Sequence, residues 1–354
     1  MKTTITFLAL LLATSPALAQ DVHIGVLTLF HPREFALSAS AGSALVLRAG
    51  EESLILEGSS GVNLAHIHFR GGQVVVEVGS RLLRTSRCTV SSRDNGSVDF
   101  TLSVPGKITR HYRGTLEVKT GPQVLTAVVT MDLETAVASV MAAESTVDTP
   151  SEALKALAVA ARSYLVAGKG RHREFDFCDT THCQFLREPP ASNTSAAQAA
   201  NSTRGLVIAF QSQPFAAMYT RSCSGRTFTP SELGLPPAAY PYYSVDCKYC
   251  REHPARWQSR VSANDAATLK SSNEFARLEV DRHLGWGAVP SNTFVVRREG
   301  EQAVLRGVGQ GHGMGLCQAG AQAMAKEGAD FRQILAHYYP NTVIVTLRSP
   351  GLLR

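Results

Sequence analysis

The sequence has no dense block of lysine and arginine and, beyond its first residues, no apolar run long enough to span a membrane. A spanning helix needs about 20 apolar residues, so we expect no membrane-spanning segment. The net charge of +6 is spread over 354 residues, which disfavours nucleic acid as a partner. Internal repeats and a regular strand–helix alternation are also missing. With a 44% hydrophobic composition, the chain is predicted to be a globular α+β protein.

The N-terminus has the three parts of a secretory signal peptide. Lys2 supplies the positive charge, residues 5–13 form the apolar run, and Ala17-Leu18-Ala19 provides a small-residue cleavage site. We therefore predict a signal peptide over residues 1–19 and a mature chain that begins near Gln20. The predicted location is the periplasm, the cell envelope or the extracellular space.

Two regions follow the predicted signal peptide. Short Val-, Leu- and Thr-rich segments separated by glycines predict strands from about residue 22 to 135. Apolar residues at helical spacing predict the clearest helix of the chain after Pro150, with Ser151 as its N-cap. Arg162 lies on the edge of that apolar stripe, where it is either a surface charge or a cation that faces a cleft. Its position alone favours the surface.

Seven cysteines follow the signal peptide, and an odd number leaves at least one thiol free or bound to a metal. Cys247 and Cys250 form an isolated C-x2-C pair, for which we predict a local disulfide. Cys317 is the candidate for the unpaired thiol.

Glycine occupies every second position from 307 to 315. Such a run lets the backbone approach a ligand without obstruction by side chains. It contains no lysine of the Walker type, so phosphate binding is disfavoured. His312 lies between two glycines and is either a functional residue or an ordinary turn histidine.

Several separated motifs together resemble the stage II sporulation protein D / LytB (SpoIID/LytB) family. The first is Glu144 followed by residues 151–156 and 158–164, and the later ones are Cys183-Gln184, the turn at residues 219–225, and Gly311-His312-Gly313-Met314-Gly315 with Gln318 and Gly320-Ala321. The likeness covers about residues 110–347, in order. We therefore predict a β-rich N-terminal region at 20–109 and a mixed α+β SpoIID/LytB-like domain with a substrate groove at 110–347.

The resemblance implies a lytic transglycosylase that cleaves peptidoglycan glycan strands stripped of their stem peptides. It implies that Glu144 is the catalytic acid and that Arg162 is an active-site residue. The later motifs supply the predicted glycan-binding residues: Tyr219, Ser222, Gly311, His312, Gly313 and Gln318. To act as an acid near neutral pH, Glu144 needs an apolar setting that raises its pKa. One departure concerns the turn after Glu144, where Ser145 and Thr146 replace the family's usual Met and Pro.

The resemblance also implies a zinc site made of His172, Cys178 and Cys183, with His182 as a spare ligand. Three protein ligands would leave one zinc position open. A disulfide between Cys178 and either Cys183 or Cys223 is the competing interpretation. No cofactor is required for the predicted chemistry, and a zinc ion here would be structural.

Two other functions remain open. The LytB branch of the family suggests a glycan-binding module without catalysis that enhances an N-acetylmuramoyl-L-alanine amidase. A metallohydrolase built on the His/Cys segment is less favoured, because no Glu or His stands at the spacing that zinc proteases use. The predicted partners are glycan strands and, for the enhancer, a cell-wall amidase.

Overall fold

The computed structural model describes residues 20–59, 61–170, 172–236, 243–269 and 273–347. The predicted signal peptide lies outside these residues. No helix within them has the length and apolar character that crossing a membrane requires.

The N-terminal half of the described chain is built from strands, as the alternating pattern predicts. Along the ninth strand, for example, every second side chain is buried. The eleven strands are β1 (Asp21–Val26), β2 (Glu34–Ala39), β3 (Ala44–Ala49), β4 (Glu52–Glu57), β5 (Leu64–Arg70), β6 (Gln73–Val78), β7 (Arg81–Thr85), β8 (Arg87–Ser91), β9 (Val98–Val104), β10 (Ile108–Thr120) and β11 (Leu125–Asp132).

These eleven strands belong to one sheet, which has two parts, and strand β10 takes part in both. Its first half pairs antiparallel with β9, and its second half pairs with β11 and β8. Gly114 lies at the change of partner, where a Cβ would stand 2.3 Å from the carbonyl oxygen of Thr130. A glycine is therefore needed for the strands to approach at this point. The apolar faces of both parts enclose the largest core.

Three helices follow and cover one side of this core: α1 (Leu133–Glu144), α2 (Ser151–Ala167) and α3 (Ser195–Ser202). The predicted helix is present as α2, but Ser151 is its first residue rather than its N-cap: the N-cap position is Pro150, and no side chain caps the helix. The helix is buried on all sides rather than along one stripe. Leu154, Leu157 and Ala158 face the first core, whereas Ala156 and Val159 face a second core. A helix that is apolar all round belongs between two packed layers.

The rest of the chain adds one short strand, Phe177–Cys178, to the sheet of the N-terminal half, and it forms smaller sheets around the second core and around a third core. Its strands are β12 (Phe177–Cys178), β13 (Leu206–Phe210), β14 (Gln213–Pro214), β15 (Tyr219–Thr220), β16 (Arg256–Ser262), β17 (Phe294–Glu299), β18 (Gln302–Val308), β19 (Leu316–Cys317) and β20 (Val343–Thr346). Its helices are α4 (Lys248–Glu252), α5 (Ala263–Thr268), α6 (Glu274–Leu284), α7 (Gln318–Lys326) and α8 (Phe331–Tyr338).

The α+β class is confirmed by this mixed architecture. The predicted domain boundary at residue 110 falls within β10, whose two halves belong to the same sheet system. Strands β10 and β11 therefore continue the β-rich region up to Asp132, where the first helix begins.

Candidate active site

Glu144 is the last residue of α1, and the turn that follows is stabilised by Ser145. The Ser145 N–H donates to the carbonyl oxygen of Met141 over 3.1 Å, and its hydroxyl donates to the same oxygen over 2.5 Å. Ser145 itself is extended, so the helix ends at Glu144. The serine that departs from the family pattern thus provides its own C-terminal cap.

The Glu144 carboxylate is half-buried among hydrogen-bond donors. Burial raises its pKa above the ordinary value, and this effect outweighs three contacts that lower it. Those contacts are a hydrogen bond from the Gln318 side chain, the nearby charge of Arg221 and a hydrogen bond from the backbone N–H of Phe185. A carboxyl group in such an environment tends to stay protonated at higher pH than an exposed one. The direction of this shift is the one that a general acid requires.

Strands β15 and β19 bring the partners of Glu144 together. They pair in parallel, with Tyr219 opposite Leu316. Arg221 directly follows β15, and its guanidinium donates to the backbone oxygen of Glu144 over 3.4 Å. Gln318 directly follows β19 as the first residue of α7. The hydroxyl of Tyr219 is buried near Glu144 and has no hydrogen-bond partner within the described chain.

Arg162, on α2, contacts the N-terminal end of α1, whereas Glu144 lies at the C-terminal end of that helix. Its side chain is fully buried, which excludes the surface position that the helix pattern favours. Its Nε and Nη2 donate to both carboxylate oxygens of Glu134 over 2.9 and 2.7 Å. Glu134 and Glu144 are ten residues apart, or about 15 Å along a helix. The structure therefore does not bring Arg162 to the acid.

The glycines of the 307–315 loop approach the protein's own chain. A Cβ at Gly311 would lie 2.5 Å from the Thr220 hydroxyl, and one at Gly313 would lie 2.5 Å from the Phe228 ring. Both glycines have positive φ, at 98° and 82°. Their small size thus serves the close packing of the loop against the segment around β15.

The other two predicted glycan-binding residues of these motifs are oriented by the protein. The Nδ1 of His312 accepts from the N–H of Met314 over 3.0 Å, and the ring lies near the carboxyl group of Glu274. Ser222 is buried, and its hydroxyl lies 3.5 Å from the sulfur of Cys250. Of the six predicted residues, the structure places Tyr219 and Gln318 beside Glu144.

Four side chains of the predicted zinc segment come together: His172, Cys178, His182 and Cys183, here called the His/Cys cluster. Their ligand atoms all lie within 4.8 Å of one another. The Nε2 of His172 is 3.3 Å from the sulfur of Cys183, and the Nδ1 of His182 is 3.7 and 3.6 Å from the sulfurs of Cys178 and Cys183. A zinc ion bound tetrahedrally by nitrogen and sulfur sets these atoms roughly 3.6 Å apart. The residues therefore fit such an ion.

His182 is thus a fourth donor rather than a spare. Four protein ligands are typical of structural zinc, whereas a catalytic zinc keeps a position open. Hydrogen bonds from Cys183, His182 and Thr180 lower the pKa of Cys178 to about 3, which favours the thiolate that a metal requires. An ion here would stabilise the segment that ends at Phe185, whose N–H contacts Glu144.

A buried carboxylate anchors this segment to the first sheet. Asp179 accepts from the N–H of Leu27 over 3.0 Å and from Arg110 over 3.1 Å. Strand β12 also pairs in parallel with β1. The β-rich region therefore holds the segment that carries the His/Cys cluster. The same segment continues to Phe185, whose N–H contacts Glu144.

The cysteine predictions need correction. All seven cysteines are unlinked, so neither the Cys247–Cys250 disulfide nor one that involves Cys178 is present. Cys223 does not lie beside Cys178. Its sulfur instead lies beside those of Cys247, Cys250 and Cys317. Cys317 is consequently not an isolated thiol.

A small cavity of about 10 Å³ lies beside Glu144 and is lined in part by Ser145, Leu157, Leu316 and Gln318. Ligand pockets commonly measure about 300–1,000 Å³. This cavity has room for roughly one water molecule, so it does not represent the predicted substrate groove, which stays a prediction.

Sequence reasoning missed Arg221, Phe185 and the second cysteine cluster. A signal for Arg221 was present, because residues two apart on an extended segment point to the same side. Arg221 stands two residues after Tyr219, within a motif that was already assigned to the site. No comparable signal existed for Phe185, since any residue can supply a backbone N–H.

Comparison with known proteins supports the resemblance. Residues 122–210 match a sequence model of the family described as Stage II sporulation protein, SpoIID. An uncharacterized protein of Brachyspira hyodysenteriae is 29% identical over 249 residues, which cover 61% of this chain and 67% of that protein. A Bacillus subtilis protein named Amidase enhancer is 32% identical over 68 residues, which cover 19% of this chain and 10% of that protein. The family match includes Glu144, Arg162 and the His/Cys cluster.

Proposed function

Because residues 122–210 carry the SpoIID family pattern, we propose that this protein acts on the bacterial cell wall as a lytic transglycosylase. Its substrate is the glycan strand of peptidoglycan from which the stem peptides have been removed. The bond cleaved joins N-acetylmuramic acid to N-acetylglucosamine, and the product carries a 1,6-anhydro ring. Glu144 serves as both general acid and general base.

The observation that carries this proposal is the environment of Glu144. Burial raises the pKa of its carboxyl group, and the surrounding groups that counteract this are an amide, a guanidinium and a backbone N–H. Within the described chain, no second carboxylate is among the groups that shift this pKa. Hydrolytic glycosidases generally use two carboxylates, whereas a reaction that closes a ring on the sugar itself needs one.

The reaction requires one proton to leave Glu144 and another to return. Protonated Glu144 donates to the glycosidic oxygen as its bond to the muramic C1 breaks and positive charge develops on the sugar ring. The resulting carboxylate then removes the proton of the muramic C6 hydroxyl, whose oxygen bonds to C1. Gln318 and Arg221 stabilise the carboxylate between these steps, since both favour its charged form.

Product analysis tests this function. Sacculi treated with an amidase are incubated with the protein, and the released fragments are identified by mass spectrometry. We expect 1,6-anhydro-muramyl products from the wild type. Glu144→Gln should lower their rate of release by about 10²–10⁴-fold, the usual contribution of general acid–base catalysis.

The matched control is Glu327→Gln, which makes the same chemical change at an exposed carboxylate beyond α7. It should release products at the wild-type rate. Fragments with reducing ends would contradict the ring-closing mechanism, and undiminished activity of Glu144→Gln would contradict the role of this residue.

A second candidate is a glycan-binding protein that enhances a cell-wall amidase without catalysis of its own. The similarity to a protein named Amidase enhancer favours it. In this case Glu144→Gln would still bind sacculi and would still increase the rate of an added N-acetylmuramoyl-L-alanine amidase. The wild type alone would release no glycan fragments.

Both candidates require an exported protein, and the sequence of residues 1–19 supports export. We propose that the chain functions in the periplasm, the cell envelope or the extracellular space. N-terminal sequencing of protein recovered from the producing cells should find Gln20 as the first residue. An uncleaved chain in the cytoplasmic fraction would contradict this.

A further inference from the structure

Four cysteines from three distant parts of the chain meet in the second core. Cys223 follows β15, Cys247 and Cys250 lie at α4, and Cys317 ends β19. All four are buried, and their sulfur atoms lie within 4.8 Å of one another. They are called the tetrathiol cluster below. Neither the resemblance nor the proposed reaction gives these residues a role.

The sulfur spacing agrees with a single bound ion. The sulfurs of Cys250 and Cys317 are 3.5 Å apart. Four thiolates bound tetrahedrally at a zinc–sulfur distance of about 2.3 Å lie roughly 3.8 Å from one another. A disulfide would require about 2.05 Å. The C-x2-C spacing of Cys247 and Cys250 is also that of a zinc ligand pair.

Hydrogen-bond donors point at these sulfurs from the surrounding structure. The N–H of Cys223 donates to the sulfur of Cys317 over 3.3 Å. The hydroxyl groups of Ser222 and Tyr338 lie 3.5 Å from the sulfurs of Cys250 and Cys247. Donors of this kind orient the ligands of a metal and stabilise the charge of thiolates.

A glycine keeps the space around the cluster open. A Cβ at Gly320 would lie 2.5 Å from the sulfur of Cys247 and 2.0 Å from the hydroxyl of Tyr338. Any side chain at this position would push both groups away. The backbone of α7 can therefore approach the cluster only with a glycine here.

We propose that the tetrathiol cluster binds one divalent metal ion of the zinc type. Soft thiolates in a tetrahedral arrangement select zinc over the hard cations, which prefer oxygen. With four protein ligands the site is closed, so the ion has a structural role. It fastens α4 to β15 and β19.

The position of the cluster gives this ion a consequence for the acid. Cys317 directly precedes Gln318, and Cys223 follows Arg221 by two residues. Both of these neighbours contact Glu144. The ion thus holds two of the groups that surround Glu144, while the His/Cys cluster holds the third, Phe185. This inference does not depend on which reaction Glu144 performs.

The test measures metal content in a chain that has only this site. The double variant Cys178→Ser/Cys183→Ser removes two ligands of the His/Cys cluster. Full-length protein is expressed with added zinc, purified without reductant and analysed by inductively coupled plasma mass spectrometry. We expect about one zinc per chain, which falls to near zero when Cys250→Ser or Cys317→Ser is added. Cys88→Ala is the control, because Cys88 lies in the first core, and it should leave the zinc in place.

Thiol titration distinguishes the ion from two disulfides. The chain has seven cysteines, so the double variant retains five. Five thiols should react after denaturation with a chelator. If two disulfides formed within the cluster, one thiol would react and no zinc would be found, which would overturn the proposal.

A spectroscopic measurement on the double variant covers the case in which the further substitution Cys250→Ser or Cys317→Ser prevents folding. X-ray absorption at the zinc edge of the double variant should show a first shell of sulfur alone. A shell that contains nitrogen or oxygen would contradict the assignment. On removal of the ion with a chelator, hydrogen exchange should increase at residues 219–225 and 309–318, and unchanged exchange there would exclude the structural role.

Discussion

The two ends of α1 each present a glutamate, and the structure treats them differently. Glu134, in the first turn, accepts two hydrogen bonds from Arg162 and one from the N–H of Gly205 over 3.2 Å. Glu144, in the last turn, has no ion pair within 4 Å among the described residues, and burial raises its pKa. Residue type is the same at both ends, so the surroundings alone make one a structural group and the other a candidate acid.

The arginine that pairs with Glu134 also satisfies other buried groups. Its Nη2 donates to the carbonyl oxygen of Ala200 over 3.0 Å, and its Nη1 donates to that of Leu206 over 3.2 Å. These bonds connect α2 with α3 and β13. A buried charge with this many partners has a structural role, because its loss would leave those partners unpaired. The comparison therefore predicts that loss of Arg162 affects stability and that loss of Glu144 affects chemistry.

The largest expected effect is on the stability of Arg162→Ala. Removing one partner of a buried ion pair leaves the other charge uncompensated, which costs about 3–5 kcal/mol. Chemical denaturation should show this loss in the free energy of unfolding. In a double-mutant cycle, adding Glu134→Ala should recover part of it, because the remaining charge is removed as well. A stable Arg162→Ala protein without activity would instead restore Arg162 to the active site.

A smaller effect is expected for the stability of Glu144→Gln, and it should depend on pH. Because the folded state holds the Glu144 proton more tightly than the unfolded chain, wild-type stability falls as pH rises from the ordinary Glu pKa to the raised one. The variant has no such proton to lose. Its unfolding free energy relative to wild type should therefore increase over this pH window and level off above it. A difference that is constant between acidic and neutral pH would show that the pKa is not raised.

The smallest expected effects concern the groups that hold Glu144. Gln318→Leu removes the hydrogen bond that lowers the pKa of this carboxyl most, and Arg221→Met removes the weaker influence of a nearby charge. Both changes should raise the pKa of Glu144 further, and Gln318→Leu should do so by more. Carbon-13 NMR titration of the carboxyl group measures both shifts. The reverse order, or a lowered pKa, would contradict the arrangement.

Helix α2 and Arg162 show how much of the fold could be predicted from the sequence. The Leu and Ala spacing predicts the helix, and the structure starts it one residue before the predicted position, at Ser151. The same spacing places Arg162 on the edge of the apolar stripe, and the structure buries it completely. A pattern on one helix cannot show that a second layer covers its other face, because that layer comes from residues 206–339.

The cysteines show the same contrast between what a local pattern predicts and what contacts between distant segments decide. His172, Cys178 and Cys183 lie within twelve residues, and the family resemblance implies a metal site among them, with a disulfide as the alternative. Cys223 and Cys317 are 94 residues apart, and no local signal connects them with the C-x2-C pair. Their meeting depends on the pairing of β15 with β19, a contact between distant segments.

The sequence by itself determined the α+β class, the strands up to Asp132, the family pattern and the candidate acid, because each of these depends on local periodicity or on short motifs. Only the tertiary structure decided that Arg162 belongs to Glu134, that Gln318, Arg221 and Phe185 surround Glu144, and that four thiols share one core. Those relations depend on which distant segments pack together, and burial and hydrogen bonding arise only when they do.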